Sequence, residues 1–321
     1  MAKQDEFYTQ LTDIEKELRH YAQHFKGKTV LCNCDDPRVS QFFHYFSHNF
    51  EKLQLRNLIT TCYKNQQPDM FSKNESDRAI CLEYSGDRDG NRVPDPEEIG
   101  IHMLEGDGDF RSPECVGLLK QADIVVTNPP FSLFRQYVQQ LIDHDKKFLI
   151  IGSLSALTYR DTFKLVRDNQ LWLGYGFANG NAYFGTPYAR EFANGVYDAK
   201  TGLVKFRNVA WFTNMDIEKR HEPLILYKSF KGHEGDYEKY DNYDAINVNR
   251  TKDIPHDYDG VMGVPISFLE KHSPDQFEIV GLIAGNIRGL AGIPSATGKD
   301  GPYVNGKLKY GRILIRRSMN S

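Results

Sequence analysis

The stretch DIVVTNPPFSLF, residues 123–134, shows most clearly how the chain is folded. Apolar or β-branched residues run from Ile124 to Thr127 and lead directly into Asn-Pro-Pro-Phe, and a second apolar stretch begins at Leu133. Proline is excluded from helix interiors and central strands because it fixes the backbone and lacks an amide hydrogen. The pattern therefore predicts a buried strand that ends at a rigid turn, with a helix after it.

Strands and helices alternate on both sides of this turn. Besides the strand that ends at Thr127, strands are predicted at 29–34, 55–62 and 146–153, and residues 99–110 are predicted to form a strand that runs into an acidic turn. Helical spacing of apolar residues and helix-start signatures predict helices between them. This alternation is typical of an α/β fold with a doubly wound, mostly parallel sheet. Sites in such sheets lie outside the carboxyl ends of the strands.

The rest of the chain indicates two domains. Residues 64–98 are polar and rich in Asp, Asn, Gly and Pro, which predicts an insertion with at most one hairpin. Antiparallel strands are predicted at 202–215 and 222–230, and an acidic, tyrosine-rich stretch follows them. We place the boundary near residue 230, between a larger domain at 1–230 and a smaller C-terminal region at 231–321.

Composition limits the classes of protein to consider. The chain has 321 residues and a net charge of −3, so a surface for nucleic acid would have to be a local patch. Its five cysteines are scattered and odd in number, which favours a reduced, cytoplasmic protein over a disulfide scaffold. No apolar signal segment and no run of about 18 apolar residues is evident, so we expect no membrane contact.

Neither cysteine nor histidine spacing predicts a metal site. Cys32 and Cys34 lie two apart in a predicted strand, so their side chains share one face and fit a core role. His20 with His24, and His44 with His48, are each spaced four residues apart on a predicted helix. Neither pair belongs to an HExxH motif or has an evident third ligand.

The Asn-Pro-Pro-Phe turn offers hydrogen-bond acceptors at the predicted crevice. Pro129 and Pro130 fix the backbone and supply no amide donors. The side-chain carbonyl of Asn128 and the main-chain carbonyl of Pro129 can converge on one amino group, and Phe131 adds a flat apolar face. An NH2 group on an aromatic ring fits this arrangement. The simpler interpretation is an ordinary turn after a buried strand, because Asn and Pro favour turns.

An aromatic amine is a poor nucleophile because its lone pair is delocalised into the ring. Two acceptors that bind its hydrogens favour a pyramidal nitrogen, and they stabilise the positive charge that grows on nitrogen during attack. A cationic methyl donor then needs no strong base. Positioning of the two reactants supplies most of the catalysis, and proximity can contribute up to about 7–11 kcal/mol.

Several long blocks carry a resemblance to a known family. Asn-Pro-Pro-Phe at 128–131 is similar to the Asp/Asn-Pro-Pro-aromatic motif of S-adenosylmethionine-dependent amino-methyltransferases. The match extends further, in order along most of the chain, and is closest to the EcoRI-type DNA adenine-N6 methyltransferases. The blocks are DEFYTQLTDIEKEL (5–18), VLCNCDDPRVSQFF (30–43), GDGDFRSPEC (106–115), DIVVTNPPFSLFRQYV (123–138) and GVMGVPISFLEKHSPDQFEIVG (260–281).

The resemblance implies a Rossmann-like class I methyltransferase fold and S-adenosylmethionine as cofactor. It implies that Asn128, Pro129, Pro130 and Phe131 hold and stack the target adenine, and that the domain at 1–230 is catalytic. The implied cofactor-binding residues are Phe7, Tyr8 and Thr9 at the chain start, Asp35 and Asp36 after the first strand, Tyr63 after the second, and Asp109 and Phe110 after the third. Asp107 is the alternative to Asp109 as the cofactor-binding acid after the third strand.

Two departures from the family pattern stand out. The turn after the first strand is Cys34-Asp35-Asp36-Pro37, without the glycines that many methyltransferases carry there. A carboxylate at this turn can still accept from the ammonium group of a methionine moiety, although it can equally cap the next helix. The second strand ends in Thr61-Cys62-Tyr63, so the acid that usually binds the cofactor ribose is missing.

Methylation of a base in duplex DNA requires that the nucleotide be rotated out of the helix. Phosphate contacts must supply the affinity. From Arg288 to Arg317 the chain has seven basic residues and one acidic residue, Asp300. We expect 231–321 to be the DNA target-recognition region, although a solvated basic strand pair would look the same. Basic residues predicted to contact DNA are Arg288, Lys307, Lys309, Arg312, Arg316 and Arg317. A second predicted contact is the GFANGNAYFG loop, through Asn181 and Tyr183. Asn179 and Phe184 of the same loop are predicted to lie near the flipped base.

The leading hypothesis is therefore a site-specific DNA adenine-N6 methyltransferase of restriction–modification, acting as a monomer on double-stranded DNA with no obligate protein partner. GAATTC is one candidate recognition sequence, by resemblance only. The tetrapeptide also fits amino-methylation of cytosine N4, RNA adenine or a glutamine side chain. A nucleic-acid-binding module with a decayed site is a third hypothesis. A dehydrogenase is disfavoured because no G-x-G-x-x-G follows the first strand.

Overall fold

A computed structural model describes residues 7–34, 40–62, 79–91, 94–95, 97–177, 180–186, 196–285 and 287–318. Four residues singled out from the sequence, Asp35, Asp36, Tyr63 and Asn179, lie outside these ranges.

The described helices are α1 (Leu11–Leu18), α2 (Ala22–Phe25), α3 (Gln41–His48), α4 (Phe50–Leu53), α5 (Pro113–Gln121), α6 (Phe134–Asp143) and α7 (Arg160–Arg167). The strands are β1 (Tyr8–Thr9), β2 (Thr29–Asn33), β3 (Asn57–Thr61), β4 (Ile80–Tyr84), β5 (Ile99–Met103), β6 (Ile124–Thr127), β7 (Lys147–Ser153), β8 (Trp172–Leu173), β9 (Ala182–Gly185), β10 (Tyr197–Asp198), β11 (Leu203–Phe206), β12 (Val209–Thr213), β13 (Ile246–Asn247), β14 (Met262–Pro265), β15 (Phe277–Ile283), β16 (Tyr303–Val304), β17 (Lys307–Leu308) and β18 (Arg312–Arg317). None of the described helices is long and apolar enough to cross a membrane.

The chain forms two compact units. Unit one comprises Met1–Leu154 and Gly174–Met215, and unit two comprises Ser155–Leu173 and Asp216–Ser321. Unit two thus combines the segment that contains α7 with the chain from Asp216 onward.

The large sheet of unit one has the order β5-β4-β3-β2-β6-β7-β12. Its centre is parallel, since β2 pairs in parallel with both β3 and β6, and β6 pairs in parallel with β7. These central strands are nearly continuous apolar runs, as expected for strands covered on both faces. Alternating strands and helices therefore build an α/β unit, as the sequence predicts.

The outer strands make the sheet mixed and not mostly parallel. β4 pairs antiparallel with β3 and with β5, and β12 pairs antiparallel with β7. The apolar break at 79–84, predicted as part of an insertion, joins the main sheet as β4. The third predicted strand forms β5, from Ile99 to Met103, and the acidic GDGDF segment follows it outside any strand, as predicted.

The order of the parallel strands reverses at β2. The chain leads from β2 to β3 on one side of it, and β6 and β7 lie on its other side. In open α/β sheets such a reversal leaves a crevice outside the carboxyl ends of the strands. Here these ends are held together: the Thr127 hydroxyl donates to the Asn33 carbonyl oxygen, and the Tyr137 hydroxyl on α6 donates to Asn33 Oδ1.

A smaller sheet of unit one has the order β1-β9-β11-β10. β1 and β11 pair antiparallel with opposite edges of β9, so that Thr9 and Val204 both lie opposite Phe184. Phe184 and Val204 are fully buried. This arrangement brings the start of the described chain, at Phe7 and Tyr8, to the same sheet as the GFANGNAYFG segment.

Unit two contains a separate sheet with the order β13-β14-β18-β15. Its long strands β15 and β18 pair antiparallel, with Arg317 opposite Phe277 and Arg312 opposite Ile283. The core of this unit includes Tyr240, Tyr243 and Leu314. β16 and β17 form a hairpin on the basic C-terminal segment.

Candidate active site at the Asn-Pro-Pro-Phe turn

Asn128 begins the turn at the carboxyl end of β6 and is only 7% exposed. Its side-chain Nδ2 donates to the Phe7 carbonyl oxygen at 2.7 Å. Its Oδ1 is buried, and no described residue donates a hydrogen bond to it. Leaving a buried acceptor unsatisfied costs about 1–3 kcal/mol. Asn128 is therefore oriented by Phe7, while its acceptor oxygen remains free for a ligand.

The two prolines set the backbone that follows Asn128. Pro129 is buried and Pro130 is half-buried. Residues Phe131–Leu133 form one turn of 3₁₀ helix, closed by a hydrogen bond from the Leu133 amide to the Pro130 carbonyl oxygen at 2.9 Å, and α6 begins directly afterwards. The turn is thus fixed from both sides, by β6 before it and α6 after it. A rigid turn positions its acceptors without losing entropy on binding.

Phe131 belongs to a group of four aromatic rings. Its centroid lies 6.1 Å from that of Phe7 and 6.2 Å from that of Phe206. Phe7 and Phe206 are 4.8 Å apart, and Phe206 lies 5.5 Å from Phe184. Phe131 itself is half-buried. The small sheet therefore contributes an aromatic wall beside the turn. Phe206 was not predicted from sequence, because an alternating strand such as LVKF carries no feature that distinguishes a site residue from a core residue.

The carboxyl end of β2 is formed by Asn33 and Cys34. Cys34 has a φ of +84°, in the left-handed region that favours glycine. Many methyltransferases place glycine at this turn, so the chain keeps a glycine-like backbone here without the glycine. The Asn33 side chain accepts from the Tyr137 hydroxyl. Burial raises the pKa of Tyr137 well above its usual value, which keeps this hydroxyl protonated as a donor.

Thr9 lies on β1 and is 2% exposed. Its Oγ1 is buried, and no donor or acceptor in the described ranges lies within hydrogen-bond distance. Tyr8 beside it is half-buried. The strand that carries the predicted cofactor residues Phe7, Tyr8 and Thr9 therefore supplies a second polar atom without a partner, close in sequence to the carbonyl that orients Asn128.

Asp109 lies in the loop after β5 and forms an ion pair with Arg111. Arg111 Nε donates to Asp109 Oδ1 at 2.9 Å, and the Arg111 backbone amide donates to the same oxygen at 2.9 Å. These hydrogen bonds lower the pKa of the Asp109 carboxyl from its usual value. Asp107 Oδ1 instead accepts the Asp109 amide at 3.0 Å. Asp109 therefore stays ionised and able to accept, while Asp107 supports the turn.

The same loop is held close to the end of β3. Gly108 has a φ of +78°, and a Cβ atom there would overlap the Cys62 carbonyl oxygen. Phe110 is buried against Tyr137, with ring centroids 5.0 Å apart and edge-to-face geometry. The end of β3 at Cys62 and the loop after β5 therefore lie in contact.

Comparison with known proteins decides the family. The sequence matches the family described as adenine-specific methyltransferase EcoRI over residues 1–318. The chain belongs to this family. It is an adenine-specific methyltransferase, the class of enzyme that modifies adenine in DNA within restriction–modification systems.

Three relatives span nearly the whole of this methyltransferase. The type II methyltransferase M.EcoRI of Escherichia coli is 46% identical, covering 98% of this chain and 94% of its own. M.MgeORF184P of Mycoplasma genitalium is 37% identical, over 98% and 96%. M.MpnI of Mycoplasma pneumoniae is 36% identical, over 99% and 97%. No solved structure matches.

Two of the residues predicted to contact DNA lie at β9 of the methyltransferase. Tyr183 is exposed, and the Lys205 ammonium lies 5.8 Å from its ring centroid. Asn181, half-buried, precedes the strand. Successive strand residues face opposite sides, so Tyr183 points away from the aromatic wall that contains Phe184. Phe184, also predicted near the base, packs instead within that wall.

The basic C-terminal residues of the methyltransferase have different surroundings. Arg288 and Lys307 are exposed, and Arg288 Nε lies 3.7 Å from Asp300 Oδ2. Lys309 Nζ lies 3.5 Å from Glu238 Oε2. Arg316 and Arg317 are half-buried on β18. Arg316 lies opposite Glu278 on β15, and Arg317 donates a hydrogen bond to the His256 carbonyl oxygen.

Arg312 differs from the other basic residues because it is 8% exposed. Its Nε donates to Asn247 Oδ1 at 3.2 Å, and its Nη1 donates to the Tyr310 carbonyl oxygen at 3.1 Å. The guanidinium is therefore used inside unit two. Sequence alone could not separate Arg312 from Arg316, since both lie on one strand and are four residues apart, which places them on the same face.

Proposed function

We propose that this methyltransferase transfers a methyl group from S-adenosylmethionine to N6 of an adenine rotated out of double-stranded DNA. The observation that carries the proposal is the buried, unpartnered Oδ1 of Asn128 at the strand-order reversal, beside the half-exposed ring of Phe131. An exocyclic amine would supply the missing donor, and its heterocycle would stack on the ring. Membership of an adenine-specific family supports adenine as that heterocycle.

Each residue of the turn has a chemical role. Asn128 Oδ1 and the Pro129 carbonyl oxygen accept the two N6 hydrogens and draw the nitrogen lone pair out of conjugation. Because both oxygens are fixed, they stabilise the positive charge on nitrogen without reorganisation. Pro130 fixes the turn, and Phe131 holds the adenine plane. The Phe7 carbonyl holds Asn128 so that its oxygen, and not its nitrogen, faces the substrate.

The residues around the crevice fit S-adenosylmethionine, which when bound supplies a methyl group on a sulfonium centre. Thr9 offers a buried hydroxyl without a described partner, and Cys34 gives the β2 turn a backbone that usually requires glycine. Asp109 remains ionised and can accept from an adenine amine. The residues that would hold the cofactor are Phe7, Tyr8, Thr9, Asp109 and Phe110, with Asp35, Asp36 and Tyr63 assigned by family resemblance. A doubly wound, Rossmann-like class I arrangement is part of the same proposal.

We propose that DNA contacts come from Asn181 and Tyr183 and from a target-recognition region at 231–321. Lys307 is exposed beside Leu308, and Tyr310 is 88% exposed. A basic residue between exposed apolar and aromatic side chains suits phosphate contact together with insertion at an opened base step. Arg288, Lys309, Arg316 and Arg317 would add phosphate contacts. Arg312 is left out because its guanidinium already binds Asn247 and the chain itself.

The enzyme would act as a monomer on DNA in the cytoplasm, with no obligate partner. The test is to incubate the full chain with S-adenosylmethionine and duplexes that carry GAATTC or a scrambled site, and then to identify methylated nucleosides by mass spectrometry. We expect N6-methyladenine in duplex DNA. N4-methylcytosine, or methylation of RNA or of protein glutamine in its place, would contradict the proposal. DNA binding without any methylated product would instead favour a decayed catalytic site.

A further inference from the structure

A group of carboxylates lies in the connection between β4 and β5 of unit one, away from the Asn-Pro-Pro-Phe turn in the sequence. Asp87, Asp89 and Glu98 each place one carboxylate oxygen within 4.8 Å of the other two. Carboxylate oxygens at this separation repel one another unless a cation lies between them. Exposed acidic groups often exist without a cation, so the group alone decides nothing.

Glu98 supplies an independent observation. It is only 6% exposed, although glutamate is rarely buried unless it is paired. Its Oε1 accepts the backbone amide of Arg88 and, at 3.4 Å, that of Asp89. Its Oε2 is buried, and within the described ranges nothing donates to it or pairs with it. A buried carboxylate oxygen without a donor is strongly unfavourable, and a metal ion is one of the few groups that relieve it.

The spacing of oxygen-bearing residues points to the same kind of ligand. If Asp87 is position 1, the loop has oxygen-bearing side chains at positions 3, 5, 9 and 12. The calcium loop of EF-hands takes ligands from these positions and ends with a glutamate at position 12. This loop departs from that pattern, since it lies between strands and its glycine is at position 4. The residues are Asp87, Asp89, Asn91, Asp95 and Glu98.

Described residues of the loop already form hydrogen bonds with the members of this group. Asp87 Oδ1 accepts the Gly90 amide at 2.7 Å, and Gly90 has a φ of +82°. The Asn91 side-chain amide donates to Asp89 Oδ2 at 2.9 Å and to Asp95 Oδ2 at 3.3 Å. An NH2 group between two carboxylates occupies the place that a cation would take, and rotation of the amide would present its oxygen instead.

We propose that the β4–β5 loop binds one Ca²⁺ ion, with Asp87, Asp89 and Glu98 as ligands and Asn91 and Asp95 completing the shell. Hard carboxylate and amide oxygens suit Ca²⁺, which accepts six to eight ligands in irregular geometry, whereas Mg²⁺ demands near-ideal octahedral geometry. The bound ion would neutralise the buried Glu98 carboxylate and fix the hairpin at the edge of the large sheet. This site does not depend on the proposed methyl transfer.

The test is isothermal titration of the full chain with CaCl2 up to about 10 mM, a range that covers weak EF-hand-type sites. We expect one bound Ca²⁺ per chain and a rise in the thermal midpoint when Ca²⁺ is present. Glu98→Gln should weaken the binding by roughly 10- to 100-fold, as losses around metal sites do. Glu97→Gln is the matched control, because Glu97 is an exposed neighbour outside the group.

Three results would overturn the proposal: no binding by the wild type over this range, equal losses in Glu97→Gln and Glu98→Gln, or tighter binding of Mg²⁺ than of Ca²⁺. Glu98 also accepts backbone amides, so its substitution can unfold the loop. Asp89→Asn provides the second variant, because an amide oxygen can still accept the Asn91 amide that Asp89 Oδ1 accepts at 2.9 Å. Unchanged Ca²⁺ affinity in a folded Asp89→Asn protein would equally rule the site out.

Discussion

Asn128 and Arg312 are both buried polar side chains, 7% and 8% exposed, and both were predicted to bind a ligand. Among the described residues, Asn128 bonds through its nitrogen, and none of them donates to its oxygen. Arg312 directs its guanidinium to Asn247 and to the carbonyl oxygens of Tyr310 and Gly311. The comparison shows that burial alone does not identify a site. A buried polar residue is a candidate for binding when the fold leaves part of its hydrogen-bonding capacity unused.

The largest expected effect is at Asn128. Asn128→Ala removes the acceptor for the N6 hydrogens, and loss of one such preorganised group typically costs roughly 100- to 1,000-fold in turnover. Methyl incorporation into duplex DNA at saturating cofactor measures this. Asn128→Asp keeps a side-chain acceptor but loses the donation to the Phe7 carbonyl oxygen, so its turnover should lie between those of Asn128→Ala and the wild type. If Asn128→Ala turned over as fast as the wild type, the acceptor role would be wrong.

Arg312 should show the opposite profile. Arg312→Ala removes hydrogen bonds from a charged, buried donor, so we expect the free energy of unfolding to fall by about 2–3 kcal/mol. The salt dependence of DNA binding should stay unchanged, because the guanidinium is not on the surface. Denaturant unfolding and binding isotherms measure the two quantities. Arg316→Ala, on the same strand and half-buried, should change the unfolding free energy by less than about 1 kcal/mol.

His272 extends the comparison to a half-buried group that titrates. The pKa of His272 is lowered to about 4: burial lowers it most, a hydrogen bond to the Phe277 carbonyl oxygen partly opposes this, and the nearby Arg220 charge lowers it again. The unfolded chain, with a histidine pKa of about 6.5, then binds more protons than the folded chain between these values. Stability is therefore lost as pH falls below about 6.5, by about 2 kcal/mol at pH 5.

Denaturant unfolding at pH 7 and pH 5 measures this loss, with His272→Gln as the comparison protein. His272→Gln should lack the share of the pH-dependent stability loss that comes from protonation of His272. His221 has its pKa raised by hydrogen bonds to Asp275 and Asp216, so it acts in the opposite direction in both proteins and cancels in the difference. Identical pH dependence of the two proteins would show that His272 does not stay neutral in the fold.

The smallest effect is expected from the surface charges of β18. Arg316→Gln combined with Arg317→Gln should weaken binding to all duplexes alike and reduce the salt slope by up to about two, one for each phosphate that is no longer neutralised. Lys26→Gln with Lys52→Gln removes the same charge from two exposed positions, one in the turn after α2 and one in α4, and should leave the slope unchanged. Equal slopes in the wild type and the arginine variant would exclude these side chains from phosphate binding.

Much of the central fold follows from local sequence. Apolar runs of four to seven residues form β6 and β7, and the prolines end β6 where predicted. The edges of the sheet were less predictable, since β4 lies in a polar segment and a short apolar run does not reveal its partner. The candidate Ca²⁺ loop was missed for a related reason: the spacing of its acids has meaning only once Glu98 is seen to be buried.

The sequence by itself determined the family, the acceptor turn and the parallel centre of the sheet, because these depend on residue type, order and period along the chain. Only the tertiary structure decided which polar side chains already have hydrogen-bond partners within the protein. Phe7 lies 121 residues from Asn128 yet orients it, and Asn247 lies 65 residues from Arg312 yet binds it. Hydrogen-bond capacity is consumed by partners distant in sequence, so no local pattern could distinguish the free oxygen of Asn128 from the satisfied guanidinium of Arg312.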